Sequence, residues 1–476
     1  MTCPRSTAVS RPKAGLSVRI GAVLVSLSAC TSTPTPTPTA TSKPAASSNP
    51  APTAIPASSV SFPMRTFALN AYKRELDGQW EGIHLASDGN VYFASSSHSA
   101  HHGGSFFKYD VQTGEVTELV HDLTEVCGED PSTNPQGKIH SDIVEANGWL
   151  YMATHFAAEK PGAYGKWTGS HALGYELATG RWRDYGIVRP GFTTYSAVGV
   201  DPVRNYLYVF VNGKTAGQAS YMYRIQTVTG EKTNLGAASG PSHGDWDFPC
   251  YWTFVDRRGD VWFSLKNQNG DLQQIHGDTG AIEVHAGALP ALVRWDSNET
   301  ESKPALQAAR SIEWMQALDG DRALLTMSDH GGMLYEFDST RPVASAFTPI
   351  RHIGFNYLGG IAIGGNRVFY YQRANRAFGN QEFQDFHLLS VSLEEGHAIT
   401  DHGLIVDQDG RKPWRLPGMV ADAHGHLYAI GDWWTIPGDL GTLRYSWNRG
   451  NETYKQLPRG EFFAVAELDG RARRPE

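Results

Sequence analysis

The feature that most constrains the fold is a strand–turn–strand unit that recurs from about residue 80 onward. Each copy has an apolar strand, a short turn, a second strand rich in Val, Tyr, Trp and Phe, and a third strand leading into a TG-type turn. The clearest copies begin with ASDGNVYFASS, EANGWLYMATH and VDRRGDVWFSL. The period averages about 56 residues. Marker glycines at the first turn are Gly89, Gly148, Gly259, Gly320, Gly365 and Gly425, and one further copy turns at Arg204-Asn205.

Units of a few short strands cannot bury both faces of their sheets alone, so they stack around a common axis. Seven such units predict an all-β fold, a seven-bladed β-propeller over residues 61–476. The ring must close, and EFFAVAELDG near the C-terminus is predicted to share a blade with a strand from SFPMRTFALN. The many Gly, Tyr and Trp residues fit a chain built of tight turns and sheets.

The N-terminal region has the layout of an export signal followed by a tether. Residues 1–30 carry basic residues and then the apolar run IGAVLVSLSAC, and LSAC resembles a bacterial lipobox, which implies lipidation of Cys30. Residues 31–60 are a Thr/Pro/Ser-rich linker that cannot build a core. We therefore expect a cell-envelope lipoprotein at the outer membrane or cell surface, touching the membrane only through its lipid anchor; a plain signal peptide is the alternative.

The net charge and the cysteine count limit which partners and which disulfides we expect. A net charge of −8, without a basic run interleaved with aromatics, argues against nucleic acid as a partner. Outside the signal, Cys127 and Cys250 either form one disulfide or remain separate thiols.

Two histidines flank the second unit, KIHSDIVEANGWLYMATH. Consecutive antiparallel strands run up and down, so the inner strand of a blade begins at the face where the next strand ends. We therefore predict that His140 and His155 emerge at the same mouth, near the propeller axis. Tyr195, at the start of the next inner strand, is expected beside them.

The same rule gathers further polar and aromatic residues on this face. Their mixture of cations and aromatic planes suits an anionic polysaccharide, because cations bind carboxylate or sulfate and aromatic rings pack on pyranose faces. Any single tyrosine or tryptophan here has sheet packing as its simpler explanation, and any exposed arginine or histidine has solvation. The predicted substrate-binding residues are His101, His102, Lys166, Tyr251, Trp252, His330 and Arg373, and His98, His171 and Arg415 are placed on the same face.

Common catalytic motifs are missing from the sequence. It has no HExxH, CxxC or DxDxDG metal spacing and no phosphate-binding glycine motif. Asp142 and Glu145 do not form a convincing glycosidase pair, since strand alternation turns them apart. Proton transfer by His and Tyr remains, which is the chemistry of β-elimination at a uronic acid.

The stretch from Gly137 to about Tyr223 resembles the corresponding blades of seven-bladed polysaccharide lyases of the ulvan lyase type. The resemblance implies β-elimination of a uronic-acid-containing, ulvan-like polysaccharide, with His140, His155 and Tyr195 as catalytic residues and Arg224 neutralising the uronate. It implies no cofactor for the chemistry. A structural divalent metal, calcium or zinc, stays an open question, because no obvious ligand set is present.

Two other functions stay open. A non-catalytic propeller that binds glycan or protein would need the aromatics and arginines but no geometry between the histidines. A glycoside hydrolase acting on rhamnose–glucuronate linkages would use the same scaffold for a different reaction.

Overall fold

The computed structural model contains a compact unit over Pro52–Glu476. Its described residues are 60–132, 134–157, 167–195, 198–213, 219–241, 252–265, 270–290, 311–327, 333–353, 360–373, 386–434 and 459–466. Cys30, Lys166, Cys250, Tyr251 and His330 lie outside them.

The first part of the fold consists of an N-terminal strand and two small sheets. Strand β1 spans Ser61–Ala68. A four-stranded sheet follows, with β2 (Ile83–Leu85), β3 (Val91–Ser95), β4 (Ser105–Asp110) and β5 (Glu115–Val120). The short helix α1 (Leu123–Val126) leads to a five-stranded sheet of β6 (Gln136–Ile139), β7 (Val144–Ala146), β8 (Trp149–Phe156), β9 (His171–Glu176) and β10 (Trp182–Ile187).

Three more four-stranded sheets continue the pattern, and each is an antiparallel meander in chain order. The first contains β11 (Val198–Asp201), β12 (Tyr206–Val211), β13 (Ala219–Gln226) and β14 (Lys232–Pro241). The next contains β15 (Phe254–Val255), β16 (Val261–Ser264), β17 (Leu272–Ile275) and β18 (Ile282–His285). The third contains β19 (Ile312–Ala317), β20 (Arg322–Met327), β21 (Met333–Asp338) and β22 (Phe347–His352).

The last sheet joins the two ends of the described chain. Its strands are β23 (Ile361–Gly364), β24 (Arg367–Arg373), β25 (Phe386–Ser392), β26 (Ile399–Asp407), β27 (Pro413–Ala421), β28 (Leu427–Trp434) and β29 (Arg459–Ala466), together with β1. Its order is β23-β24-β25-β26-β1-β29-β28-β27. Short 3-10 turns lie at Leu69–Ala71 and Val343–Ser345.

Strand β1 closes the structure. Its first half pairs in parallel with β26, and its second half pairs antiparallel with β29, where Arg65 lies opposite Val465 and Phe67 opposite Phe463. The predicted pairing of the two termini is therefore confirmed. Neighbouring sheets contact one another in succession, and β27 lies beside both β2 and β23, so the ring of sheets is complete. The fold is an all-β propeller.

Aromatic side chains fill the space between neighbouring sheets. Phe463 of β29 is fully buried and stacks on Phe93 of β3, with ring centroids 4.5 Å apart. Phe107 of β4 stacks on the other side of Phe93 at 5.3 Å. Such contacts remove large apolar areas from water and join the first sheet to the closing one.

Five of the six marker glycines have the left-handed backbone conformation that is typical of tight turns. Gly89, Gly148, Gly259, Gly365 and Gly425 all have positive φ angles. Where the third unit lacks the glycine, Asn205 takes the left-handed conformation at φ 56°, which asparagine tolerates better than most residues.

A second local backbone feature recurs in the fourth strands β10, β14 and β26. The side chains of Asp184, Asn234 and Asp401 each accept a hydrogen bond from the backbone N–H of the glycine two residues later, and each of those glycines has a positive φ. The pairing of each strand shifts at this place. The Asx-x-Gly sequence therefore makes a bulge that bends the outer edge of a sheet.

No helix within the described ranges is long and apolar enough to cross a membrane.

Candidate active site

Three predicted residues meet at one end of the inner strands. The rings of His140 and Tyr195 are stacked, with centroids 4.3 Å apart and planes 26° apart. The His155 ring lies nearly perpendicular to both, 5.0 Å from each centroid. The structure therefore brings together the two histidines and the tyrosine that strand alternation placed at this mouth.

Strand register sets this arrangement. His140 directly follows β6, and β6 pairs with the end of β8 so that Lys138 lies opposite His155. Tyr195 follows Thr193, which forms an isolated bridge with Asn212 just before β11 begins. His140 lies between β6 and β7, which both pair with β8, so it adjoins the strand that carries His155.

Trp80 is a fourth member that the sequence interpretation missed. Its indole stacks on the opposite side of His140, with ring centroids 3.9 Å apart and planes 28° apart. His98, whose Nδ1 lies 2.8 Å from Asp77 Oδ1, packs edge-on to the same indole at 6.5 Å. Trp80 precedes the inner strand β2 as Tyr195 precedes β11, so the inner-strand rule applied to the first unit would have found it.

The four residues of the cluster differ in their exposure to solvent. His140 and His155 are fully buried, whereas Trp80 and Tyr195 are half-buried and reach the surface. Burial is the main reason that the pKa of His140 lies well below its ordinary value of 6.5, and neighbouring groups that include the Arg415 guanidinium add to the effect. His140 is therefore a neutral imidazole at pH 7.

A row of charged residues borders Trp80. The Arg415 guanidinium lies 4.7 Å from the Trp80 ring centroid, and its Nε donates to Asp432 Oδ2. Arg415, Asp432 and Glu461 are successive cross-strand partners on β27, β28 and β29, so their side chains share one face of the sheet. Burial disfavours the charge on Arg415, but the Asp432 carboxylate outweighs it and raises the pKa of Arg415. About a quarter of the Arg415 side chain is exposed, at 26%.

Lys138 is a second cation close to the cluster. Its side chain is fully buried, and its Nζ lies 5.7 Å from the ring centroid of Trp80 and 5.8 Å from that of Phe156. A cation over an aromatic face is attracted by the ring quadrupole. The Lys138 amine therefore lies beside the cluster at a place that solvent does not reach.

Arg224 does not join the site. It lies on β13 opposite Tyr208, and its guanidinium packs 4.2 Å from the ring centroid of Tyr206, next to the Asn205 turn at the far end of the blade. The longer segment before it left the register of β13 undefined in the sequence. As a correction, the cation that lies beside the His140 cluster is Arg415.

The other predicted substrate residues scatter. Trp252 is 7% exposed and packs in the apolar core with Phe254 and Trp262, because burial of its indole surface is favourable there. His101 and His102 are exposed in the loop after β3. Arg373 ends β24. The predictions for Lys166, Tyr251 and His330 fall outside the described residues.

A buried polar network holds the strand that carries His140. The side chain of Gln136 on β6 donates to Glu129 Oε2 at 2.8 Å and accepts from Thr154 Oγ1 at 2.6 Å. His171 lies between two carboxylates, with Nε2 3.4 Å from Glu129 and Nδ1 3.0 Å from Asp184. Burial opposes protonation of His171, but Asp184 and Glu129 together raise its pKa. The network links β6, β8, β9 and β10.

The two acids of the KIHSDIVE segment do not form a catalytic pair. Glu145 accepts from the backbone N–H of Ser87 at 2.8 Å and lies 3.3 Å from His84 Nε2. Asp142 is half-buried, and burial raises its pKa to about 6. Within the described residues no three His, Cys, Asp or Glu side chains lie together as a metal site requires, and Cys127 carries a buried free thiol.

Comparison with known proteins supports the fold class. No protein-family model and no curated protein matches the sequence. A GH74 enzyme from Niastella koreensis has a similar structure, with a TM-score of 0.52 and 14% identity over 77% of this chain and 52% of that one. This chain therefore spans about half the length of that enzyme.

Two weaker likenesses are to a puromycin-hydrolyzing peptidase of Mycobacterium tuberculosis and an oligogalacturonate lyase of Vibrio parahaemolyticus. Their TM-scores are 0.45 and 0.44, with identities of 11% and 8%. The peptidase match covers 78% of this chain and 52% of that one, and the lyase match covers 85% and 97%. Likenesses this weak carry no conclusion about this chain.

Proposed function

We propose that this propeller is a polysaccharide lyase that cleaves a uronic-acid-containing, ulvan-like polysaccharide by β-elimination. The observation that carries the proposal is the contact of His140, His155 and Tyr195 at one mouth, beside Trp80 and Arg415. These groups match the needs of the reaction, which are a proton acceptor, a proton donor and a cation for the substrate carboxylate.

Tyr195 is the member placed to touch the sugar. Its ring is half-buried, while the two histidines behind it are fully buried. A phenol in van der Waals contact with a neutral imidazole has a proton acceptor within the same water-poor environment. In the proposed reaction Tyr195 exchanges protons with the substrate, and the histidines set its protonation.

Arg415 is the proposed partner of the uronate carboxylate. Neutralising that carboxylate acidifies the proton at C5, which the base then removes as the glycosidic oxygen leaves. Arg415 keeps an exposed part, whereas Lys138 does not. Asp432 binds its Nε edge and thereby orients the guanidinium, leaving the terminal nitrogens for a second, bidentate partner.

Hydrolysis is the second candidate, and one observation favours it. Asp432 and Glu461 are buried carboxylates that face each other across β28 and β29. Glycoside hydrolases use two carboxyl groups as acid and base or nucleophile. A hydrolase acting on a rhamnose–glucuronate linkage would use this pair and leave the histidines without a direct role.

Two structural expectations belong with this proposal. Because β1 joins β26 on one side and β29 on the other, we count the eight-stranded sheet as two blades, which gives seven in all. We also propose that Cys30 is lipidated and that residues 31–60 tether residues 61–476 to the outer membrane. Release of the Cys30→Ser protein from the membrane fraction supports the anchor, and its retention there contradicts it.

The assay for the proposed reaction is the ultraviolet absorbance of the unsaturated uronate product. Purified protein is incubated with ulvan, pectate, alginate and glucuronoxylan, and reducing ends are measured in parallel. Absorbance that rises with reducing ends supports the lyase. Reducing ends without absorbance support the hydrolase, and neither signal with retained glycan binding supports a binding propeller.

A further inference from the structure

His155 is held by a chain of hydroxyl groups. Its Nδ1 lies 2.6 Å from Thr193 Oγ1. Thr193 Oγ1 in turn accepts from the Ser170 hydroxyl at 3.4 Å, and Ser170 Oγ accepts from the backbone N–H of Thr194 at 2.7 Å. Ser170, Thr193 and His155 are all buried. The chain therefore runs from a backbone amide, which can only donate, to an imidazole nitrogen.

Counting hydrogens gives the chain a direction. Ser170 Oγ accepts from the Thr194 N–H, and its own hydrogen is directed to Thr193 Oγ1. The Thr193 hydrogen is then directed to Nδ1 of His155. If Nδ1 carried the proton instead, one of the two hydroxyl hydrogens would have no acceptor among the described residues. A buried donor without a partner costs about 1–3 kcal/mol. The chain therefore favours the tautomer in which Nδ1 accepts.

We propose that Thr193 is the positioning residue of the site, because its hydroxyl holds His155 in the tautomer that carries its proton on Nε2. In this tautomer Thr193 engages the Nδ1 lone pair of the neutral ring, and the ring proton lies on Nε2. Resting on the lyase function proposed above, this makes His155 a hydrogen-bond donor of the cluster and not its proton source, because a neutral imidazole that lost its proton would be left as an imidazolate. The group that accepts the C5 proton is then His140 or Tyr195.

Ser170 has a separate and weaker part in this scheme. Its hydroxyl bonds to Thr193 Oγ1 and to the backbone N–H of Thr194. Without the Ser170 hydroxyl, the Thr193 hydrogen still has Nδ1 of His155 as its acceptor, so the tautomer of His155 is expected to stay. Substitution of Ser170 therefore shortens the chain while keeping the hydroxyl that holds His155.

The tautomer is measured directly by nitrogen NMR of the histidine-labelled protein, with the His155 resonance identified by its loss in His155→Gln. We expect an unprotonated Nδ1 and a protonated Nε2 in the native protein. In Thr193→Val, which keeps the shape but not the hydroxyl, the two tautomers become mixed, whereas Ser170→Ala keeps the native pattern. Thr193→Ser restores the native pattern. A protonated Nδ1 in the native protein, or an unchanged pattern in Thr193→Val, overturns the proposal.

Kinetics supply the second readout. Loss of the buried hydrogen bond between Thr193 and His155 predicts about a tenfold fall in kcat for Thr193→Val, with KM changed less than about twofold. The kcat of Thr193→Ser should stay within about twofold of the native value. Equal falls in the valine and serine variants overturn the positioning role. The NMR result does not require turnover, so an inactive native protein with the expected tautomer refutes the lyase function and leaves the hydroxyl chain standing.

Discussion

The imidazole of His140 is enclosed between the indole of Trp80 at 3.9 Å and the phenol of Tyr195 at 4.3 Å. His140 adjoins the β6–β10 sheet and Tyr195 precedes the β11–β14 sheet, so their contact depends on the packing of two neighbouring sheets as well as on local strand structure. This stack keeps the imidazole dry and neutral, and it presents Tyr195 at the surface. The following predictions test what each part contributes.

The hydroxyl of Tyr195 is predicted to be essential for turnover. Tyr195→Phe keeps the ring that stacks on His140, but it removes the group that exchanges protons. Because acid–base groups contribute typically 10²–10⁴-fold, we expect kcat to fall by roughly that factor with the thermal midpoint unchanged. The matched control is Tyr72→Phe. The hydroxyl of Tyr72 donates to a backbone carbonyl at an exposed site, so its removal should leave kcat unchanged.

Arg415 and Arg224 are predicted to differ in their effect on activity. Arg415→Lys preserves the charge beside Asp432 but loses the bidentate geometry, so we expect kcat/KM on a uronate substrate to fall about 10–100-fold. Arg224→Lys serves as the control and is expected to leave kcat/KM within about twofold, because its guanidinium lies at the other end of the blade. The reverse order of effects would return the substrate-binding role to Arg224.

His140 is predicted to make the fold less stable in acid. Its pKa is lowered in the folded protein, while in the unfolded chain it titrates near 6.5. Below that value the unfolded state binds the additional proton, so the free energy of unfolding falls as the pH is lowered from about 6.5. His140→Phe retains a ring between Trp80 and Tyr195 and cannot be protonated. The difference in unfolding free energy between the native protein and this variant should therefore depend on pH below 6.5 and become constant above it.

His171 is predicted to change the free energy of unfolding with pH in the opposite direction. Asp184 and Glu129 raise its pKa, so the folded state holds the proton more tightly than the unfolded chain does. Its contribution is complete below the ordinary value of 6.5 and is lost as the pH rises through the raised pKa. We expect the stability difference between the native protein and His171→Gln to shrink over that upper window. A difference that grows with pH would mean that His171 is neutral in the fold.

Ring closure is predicted to depend on Phe463. It is fully buried, stacks on Phe93 and packs at a tilt against Tyr109, and these contacts join β29 to the first sheet. Phe463→Ala should lower the free energy of unfolding by about 3–5 kcal/mol, as for other large buried aromatics. Val228→Ala, at a side chain that is 65% exposed, should change it by less than about 0.5 kcal/mol.

Much of the site was accessible from the sequence, because antiparallel strands alternate in direction. That rule alone placed His140, His155 and Tyr195 together, and applied to the first unit it would also have given Trp80. What the rule could not supply is lateral register. The pairing of Arg415 with Asp432 depends on a register shift between β27 and β28, and the position of Arg224 depends on where β13 begins.

Single hydroxyl contacts were also beyond sequence reasoning. Thr193 lies in a segment of small polar residues in which no pattern distinguishes it from Thr194. Its role becomes visible only when the loop brings its Oγ1 to 2.6 Å from His155. The burial of Trp252 is a similar case, since a tryptophan at a strand start fits a sugar site and a core equally well.

The measurement that tests the central claim most directly is the formation of unsaturated uronate by the purified protein on ulvan and on the other uronate polysaccharides, compared with its His155→Ala variant. The exposed-histidine variant His121→Ala serves as the matched control. We predict product absorbance with the native protein and with His121→Ala, and its loss in His155→Ala. Absorbance that survives in His155→Ala, or reducing ends released without any absorbance, would contradict a lyase built on this cluster.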